Sequence, residues 1–248
     1  MTKQSVRARI EEIGIIPAVR VCSPEEAIFA AEAVRRGGIP IVEITMTVPG
    51  AMDVISCLVK HSPDMVVGAG DVFDMETARA CRDAGAAFLT SPGLDTKIVE
   101  FAAHEDLVML PGALTPTEVI AAWKSGADFV KVFPCAQVGG DSYIRALKGP
   151  FPNLALIAAG GVNQTTAAKF ILAGASALGI GADLVPHDAI HLRQSGRIFT
   201  LAQRYVNFVK AARAQMEPAK AAASASAGDK RTTWTRDAKQ PAAGPSTH

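Results

Sequence analysis

Nothing in this chain resembles a bilayer-crossing helix: no run of about eighteen consecutive apolar residues occurs. Charge of one sign is missing as well. The 25 Lys and Arg residues offset 24 Asp and Glu residues, for a formal charge of +1, so there is no electrostatic case for a nucleic-acid or membrane partner. Cysteine is scarce. Cys22, Cys57, Cys81 and Cys135 lie far apart with no Cys-x-x-Cys, which reads as reduced, mostly buried thiols in a cytosolic protein rather than a disulfide framework. The N-terminal segment, with Lys3, Arg7, Arg9, Glu11 and Glu12, lacks the continuous apolar core of a secretory signal. Aromatic residues make up only 6% of the chain. The apolar share is 49%, and Ala, Val, Ile and Gly dominate it, which suits a parallel sheet packed closely against helices.

The chain divides near Met216. Residues 1–215 have the composition of one domain. Residues 216–248 are rich in Ala, Ser, Lys, Thr, Pro and Gly with a single Trp234, and such a segment buries too little apolar surface to offset its ordering entropy. A disordered low-complexity tail is expected there. Within the domain, apolar strand patterns at 15–20, 39–45, 65–69, 86–90, 107–110, 129–133, 154–158 and 177–179 alternate with helical patterns at 24–36, 51–61, 74–84, 96–104, 116–125, 141–147, 164–173 and 189–212. Ser23 before Pro24 is a helix start, and Gly37-Gly38, Gly85, Gly126 and Gly174 each stop a helix just before a strand. Eight strands alternating with eight helices fit a compact (β/α)8 TIM barrel in a single domain. An open doubly wound sheet is the rival, because periodicity does not distinguish a closed sheet from an open one.

One residue breaks the pattern. In Asp128-Phe129-Val130-Lys131-Val132-Phe133-Pro134 an apolar strand is interrupted by Lys131. An ammonium in low dielectric loses solvation, which favours the neutral amine, and a neutral amine can attack a carbonyl to form a Schiff base. A packed stem whose head reaches water, or a pair with a buried carboxylate, would also explain it. Glu43 is the second charge inside an apolar strand, in Ile41-Val42-Glu43-Ile44. It is either a structural partner for Lys131 or a general acid/base, and the two roles overlap, since a carboxylate beside an amine can carry its protons.

The other strand ends collect polar residues and glycines. Arg20 ends the first strand, Thr45 and Thr47 the second, Gly70-Asp71 the third, and Thr90-Ser91-Pro92-Gly93 the fourth. Ala159-Gly160-Gly161 and Gly181-Ala182 end the last two. In a barrel all of these would meet at the C-terminal rim, where the last two loops commonly hold a phosphate. The glycine amides could cradle an anion, although turns call for glycine as often. Arg20 could clamp a second anion or form a rim salt bridge. His187 and His191 could share a helical face, but no third ligand stands nearby, and a solvated helix start is the better reading.

Taken in order, Ile41-Val42-Glu43-Ile44-Thr45, Gly68-Ala69-Gly70, Ser91-Pro92-Gly93, Pro111-Gly112, Val130-Lys131-Val132-Phe133-Pro134, Lys148-Gly149-Pro150-Phe151-Pro152 and Gly160-Gly161-Val162 resemble the bacterial 2-keto-3-deoxy-6-phosphogluconate / 4-hydroxy-2-oxoglutarate aldolases, over about residues 5–213. The resemblance implies a trimeric (β/α)8 barrel and a class I aldolase. Such an enzyme cleaves a 2-keto-3-deoxy-6-phospho sugar acid or 4-hydroxy-2-oxoglutarate to pyruvate and an aldehyde. It uses no cofactor and no metal, because an iminium serves as the electron sink. It also implies Lys131 as the Schiff-base lysine, Glu43 as the general acid/base, and Arg20, Thr47, Asp71, Pro92, Ala159, Gly160, Gly161, Gly181 and Ala182 around the substrate. Three of these depart from the usual family pattern: Asp71 and Ala159 stand where threonine is usual, and Ala182 where serine is frequent. Asp71 would repel a substrate carboxylate unless Arg20 or another cation neutralised it. Two other readings follow from the departures: Glu43 and Asp71 as a carboxylate pair or cation site of an isomerase or lyase, and a non-catalytic barrel that binds a sugar acid.

Overall fold

The computed structural model describes the backbone of residues 1–226 and the side chains up to residue 217. The tail expected at 216–248 lies for the most part outside the described residues. The described part is a (β/α)8 barrel. Its strands are β1 (Ile15–Val19), β2 (Ile41–Thr45), β3 (Val66–Gly70), β4 (Phe88–Thr90), β5 (Val108–Leu110), β6 (Gly112–Ala113), β7 (Val130–Val132), β8 (Leu156–Ala159) and β9 (Ala177–Ile180). All pairings are parallel, in the order β5-β4-β3-β2-β1-β9-β8-β7-β6.

The two ends of that order are halves of one stave. β5 and β6 are separated only by Pro111, which has no N–H to give to a ladder. Leu110 O accepts from Ser91 N on the β4 side at 3.4 Å, and Pro111 O accepts from Lys131 N on the β7 side at 2.9 Å. The proline is therefore the point at which the sheet passes from one neighbour to the other, and the barrel closes through it with eight staves. The expected strands are all present, displaced by one or two residues at their ends. The divided stave was not anticipated.

The helices of the repeat are α2 (Pro24–Arg36), α3 (Ala51–His61), α4 (Met75–Asp83), α5 (Thr96–His104), α6 (Pro116–Lys124), α7 (Asp141–Lys148) and α8 (Ala167–Leu172). They start as the sequence suggests. The Ser23 hydroxyl accepts from Glu26 N at 3.2 Å ahead of Pro24, and Thr115 and Glu118 form a reciprocal capping box. Gly38, Gly85, Gly126 and Gly174, at φ values from 93° to 108°, turn the chain from helix into strand. The last helical stretch, expected to run unbroken over 189–212, is divided into α9 (His187–His191) and α10 (Ser195–Ser226), with Arg193 at φ 53° between them. Among the described residues, no helix is long and apolar enough to cross a membrane.

One element was not foreseen. Helix α1 (Lys3–Ile13) precedes the first strand, with Thr2 as its N-cap and Gly14 in the left-handed region at its end. It buries Val6 and Ile10 and packs on β5 and β9. A Lys3–Asp128 pair at 3.0 Å and the Arg213 guanidinium, which donates to Glu12 O and Glu11 O at 2.6 and 2.7 Å, tie it down. The helix covers the N-terminal end of the barrel, so solvent reaches the interior from the C-terminal mouth.

The interior is filled as a core. Phe88 is fully buried and lies across β3, where Gly68 gives it room; a Cβ on Gly68 would come within 2.3 Å of the ring. A ring held on every side does not yield cheaply, and overpacking of this kind costs about 1–3 kcal/mol or more. Gly68→Ala is expected to lower the urea midpoint by the equivalent of about 2 kcal/mol, or to prevent soluble expression. An unchanged midpoint would mean that Phe88 has space the fold does not reveal.

Candidate active site

β2 and β7 lie opposite one another, with three staves between them whichever way round the barrel is counted. Only long side chains can meet across that distance. In β7 the sequence Val130-Lys131-Val132 follows the two-residue period of a strand: both valines are buried among the helices, and Lys131 faces the interior. In β2, Glu43 faces inward in the same way. Lys131 Nζ stands 3.9 Å from Glu43 Oε1, with side chains only 11% and 5% exposed. The amine is thus withdrawn from bulk water and within proton-exchange distance of a single carboxylate. Nζ also sits 5.6 Å from the centre of the Phe133 ring, whose face attracts its positive charge.

Glu43 owes its position to a missing side chain. A Cβ on Gly70 would fall 2.2 Å from Oε1, so the carboxyl group rests where an alanine methyl would be. Among the described residues it accepts no hydrogen bond; its nearest charged neighbour is Lys131.

The cavity above this pair has a volume of about 350 Å³. Arg20, Asp71, Pro92, Ala159, Gly160, Gly161, Gly181 and Ala182 line it together with Glu43 and Lys131, so all but one of the residues expected at the site come to one place. Thr47 is the exception. The chain turns after Thr45, and the Thr47 hydroxyl pairs with Thr45 Oγ1 at 2.7 Å, on an exposed residue outside the cavity lining. Asp71 shares the cavity with Glu43 but is paired with a cation. It takes a left-handed conformation, φ 59°, and binds Arg20 Nη2 at 2.5 Å. Among the described residues, no group of three or more His, Cys, Asp and Glu is placed to hold a metal ion.

Sequence reading missed several lining residues. Phe133 was accessible to it, since it follows Lys131 by the two-residue strand period. His187, read as part of a solvated helix start, and its neighbour in sequence Asp183 both line the cavity. The glycine pair has a steric reason of its own. Both residues have φ 81°, and a Cβ on Gly161 would meet Ala136 Cβ at 2.2 Å. The segment after β7 crosses closely there, with Cys135 N donating to Ala159 O at 2.8 Å. Cys135 itself is no rival to Lys131 as nucleophile. Burial, helped by the Asp141 charge, pushes its thiol up to about 11, so it stays protonated at neutral pH.

Comparison with known proteins gives the family and the fold. The family described as KDPG and KHG aldolase matches residues 6–201. A KHG/KDPG aldolase from Escherichia coli strain K12 is 32% identical over 197 residues, covering 79% of this chain and 92% of its own. Two solved structures share the fold at 28% identity. One is a cube-shaped protein cage designed by fusing symmetric oligomeric domains, with a TM-score of 0.77, covering 87% of this chain and 78% of that one. The other is the KDPG aldolase of Legionella pneumophila with pyruvate captured at low pH as a covalent carbinolamine intermediate; its TM-score is 0.74, covering 80% of this chain and 96% of that one.

Proposed function

The chain belongs to the KDPG and KHG aldolase family, and on that premise we propose that it is a class I lyase that cleaves a 4-hydroxy-2-oxo acid to pyruvate and an aldehyde, with Lys131 as the Schiff-base amine and Glu43 as the proton carrier. The observation that carries this reading is the shielded amine 3.9 Å from a lone carboxylate at the floor of an open cavity.

Proton transfer from the Lys131 ammonium to Glu43 frees the amine lone pair. Attack on the C2 ketone forms the N–C bond as the C=O π pair moves to oxygen; the proton that the nitrogen then loses passes to that oxygen, which becomes the carbinolamine hydroxyl. Glu43, now an acid, protonates that hydroxyl, which leaves as water, and the C2=N iminium forms. Glu43, again a carboxylate, removes the C4 hydroxyl proton directly or through water. The C3–C4 bonding pair then moves into a C2=C3 enamine, its charge absorbed by the iminium nitrogen, and the aldehyde departs. The proton held on Glu43 passes to C3, and water hydrolyses the resulting iminium to pyruvate and free Lys131. Every step uses one carboxylate in alternating roles, as its position beside a single amine requires.

Arg20 and Asp71 bear on the substrate's charge. Arg20 is the cation nearest the mouth, and Asp71 already occupies it at 2.5 Å. A substrate anion must share or displace that contact. The pair also answers the difficulty that a lone Asp71 would raise, because its charge is balanced before substrate arrives. The outer part of the cavity, with Gly160, Gly161, Gly181 and Ala182, would receive the end of the substrate that becomes the aldehyde.

The enzyme is proposed to work in the cytoplasm, a placement supported by four free cysteines, one of them exposed. It is also proposed to be a homotrimer. A structural neighbour built from symmetric oligomeric domains supports this, as does Phe73, which stands 63% exposed two residues beyond Asp71, as an aromatic awaiting a subunit contact would.

Three outcomes are expected. Sodium borohydride with pyruvate should leave a reduced pyruvyl adduct on Lys131, found by peptide mass mapping, while Lys131→Ala stays unlabelled; no adduct under conditions that label a control class I aldolase would sink the proposal. Asp71→Thr should release Arg20 to the substrate and lower KM about two- to fivefold with kcat little changed, in keeping with a surface ion pair worth up to about 1 kcal/mol. A raised KM would instead give Asp71 a direct part in holding substrate. Sedimentation equilibrium should return about three times the 25.9 kDa chain mass, and Phe73→Asp should shift that value towards one chain.

A further inference from the structure

Strand β4 carries a buried polar atom that the reaction above leaves unused. Thr90 closes that strand, is 1% exposed, and its Oγ1 has neither a hydrogen-bond partner nor contact with solvent. Taking a hydroxyl out of water without a partner is costly, and buried polar side chains are nearly always satisfied. Valine has the same shape and would avoid the cost, so the hydroxyl calls for a partner that appears when the site is at work.

Its neighbours fix its direction. Glu43 pairs in register with Gly68, and Gly68 with Phe88, so these residues share the inner face of the barrel; Thr90 joins them by the two-residue period. The Glu43 carboxyl lies over Gly70, as the 2.2 Å approach to a virtual Cβ there requires. Continuing the β3–β4 register by two residues puts Thr90 beside Gly70. Adjacent strands are roughly 4.8 Å apart, so Thr90 is the next side chain along the inner wall beyond the Glu43 carboxylate. Two incomplete groups therefore stand on either side of a glycine: a hydroxyl with nothing to bond and a carboxylate with no donor.

The geometry points to Thr90 as a positioning residue for Glu43, its hydroxyl donating directly to the Glu43 carboxylate when that group moves across Gly70 during the reaction; Oε1, the oxygen that lies over Gly70, is also the one 3.9 Å from Lys131. That bond holds the carboxylate at the amine while its other oxygen exchanges protons. With no solvent contact at Oγ1, only a protein group can satisfy the hydroxyl. The inference rests on the aldolase reading and adds to it a residue beneath the cavity, outside the lining that the substrate touches.

The test compares Thr90→Val and Thr90→Ser with the wild type in three measurements: melting temperature, borohydride trapping of pyruvate on Lys131, and the rate at which the enzyme exchanges pyruvate methyl protons for deuterium. Exchange requires the enamine to form and be reprotonated but needs no aldehyde. Thr90→Val is expected to melt at or above the wild-type temperature, to trap as much saturating pyruvate, and to exchange about tenfold more slowly or worse. Thr90→Ser, which keeps the hydroxyl, should exchange within about threefold of wild type. Wild-type exchange in Thr90→Val overturns the inference. So does an equal loss in Thr90→Ser, or a loss accompanied by a fall in melting temperature, since each marks a packing role. Failure of the wild-type enzyme to trap pyruvate overturns the aldolase reading itself, and the positioning role falls with it, so the two failures are told apart.

Discussion

The ion pair between Lys131 and Glu43 is the constraint on which the site depends, and its geometry follows from barrel closure. Opposite staves bring their side chains together only on the axis, and only when nothing bulky stands between them. An open sheet with the same strands would hold these two residues far apart at the same depth. Closure in turn passes through Pro111, which ends the ladder with β4 and leaves the next residues, Gly112 and Ala113, free to pair with β7. The same strand, β7, carries the lysine.

A pair this shielded contributes little to stability, because the cost of removing two charges from water consumes most of what their attraction returns. What the arrangement supplies is an amine and a carboxylate 3.9 Å apart and away from bulk water. Among the described residues neither group is fixed by other hydrogen bonds: Lys131 is held by its stem and the Phe133 ring, and Glu43 by its seat over Gly70. Strands β2 and β3 are buried throughout and β7 at both of its valines, so the freedom is confined to the two groups that need it. Of the unusual residues of the inner wall, Gly68 and Gly70 lie on the strand next to Glu43, and Thr90 on the strand beyond it.

The scaffold was largely legible in the sequence because its signals are local. Apolar runs, proline at a helix start and glycine at a helix stop each act over a few residues, and the strands fell where those signals put them. Helix α1 had equally local signals, Thr2 and Gly14, but a segment so rich in charge shows little apolar face: only Val6 and Ile10 are buried. The break between α9 and α10 had no such signal, since Arg193 adopts a left-handed conformation that only its surroundings explain. The same division holds at the site. A charge inside an apolar strand singles out Lys131 and Glu43 without a structure. Whether they face each other, and whether Arg20 meets Asp71, depends on staves brought together from distant parts of the chain. Thr47 shows the opposite limit: position next to a strand end suggested the rim, but the turn after Thr45 directs the residue outward.

The departures from the family pattern make physical sense when taken together. Asp71 adds a negative charge at the mouth where a hydroxyl is usual, and Ala159 and Ala182 remove hydroxyls from the glycine-lined side. Considered singly, each weakens a site for an anionic substrate. The Arg20–Asp71 contact changes the balance, because the carboxylate comes with its own cation and the mouth gains a polar pair with little net charge. Such a pair orients a substrate through hydrogen bonds while contributing less to net attraction than an unpaired arginine would. The Lys131–Glu43 pair at the floor is balanced in the same way. Asp183 also lines the cavity, while both cations of that lining, Arg20 and Lys131, already face Asp71 and Glu43. Charge in this cavity is thus matched at the floor and at the mouth, and the glycine-lined end, where the departing aldehyde is proposed to sit, is the part whose polarity these substitutions have altered most.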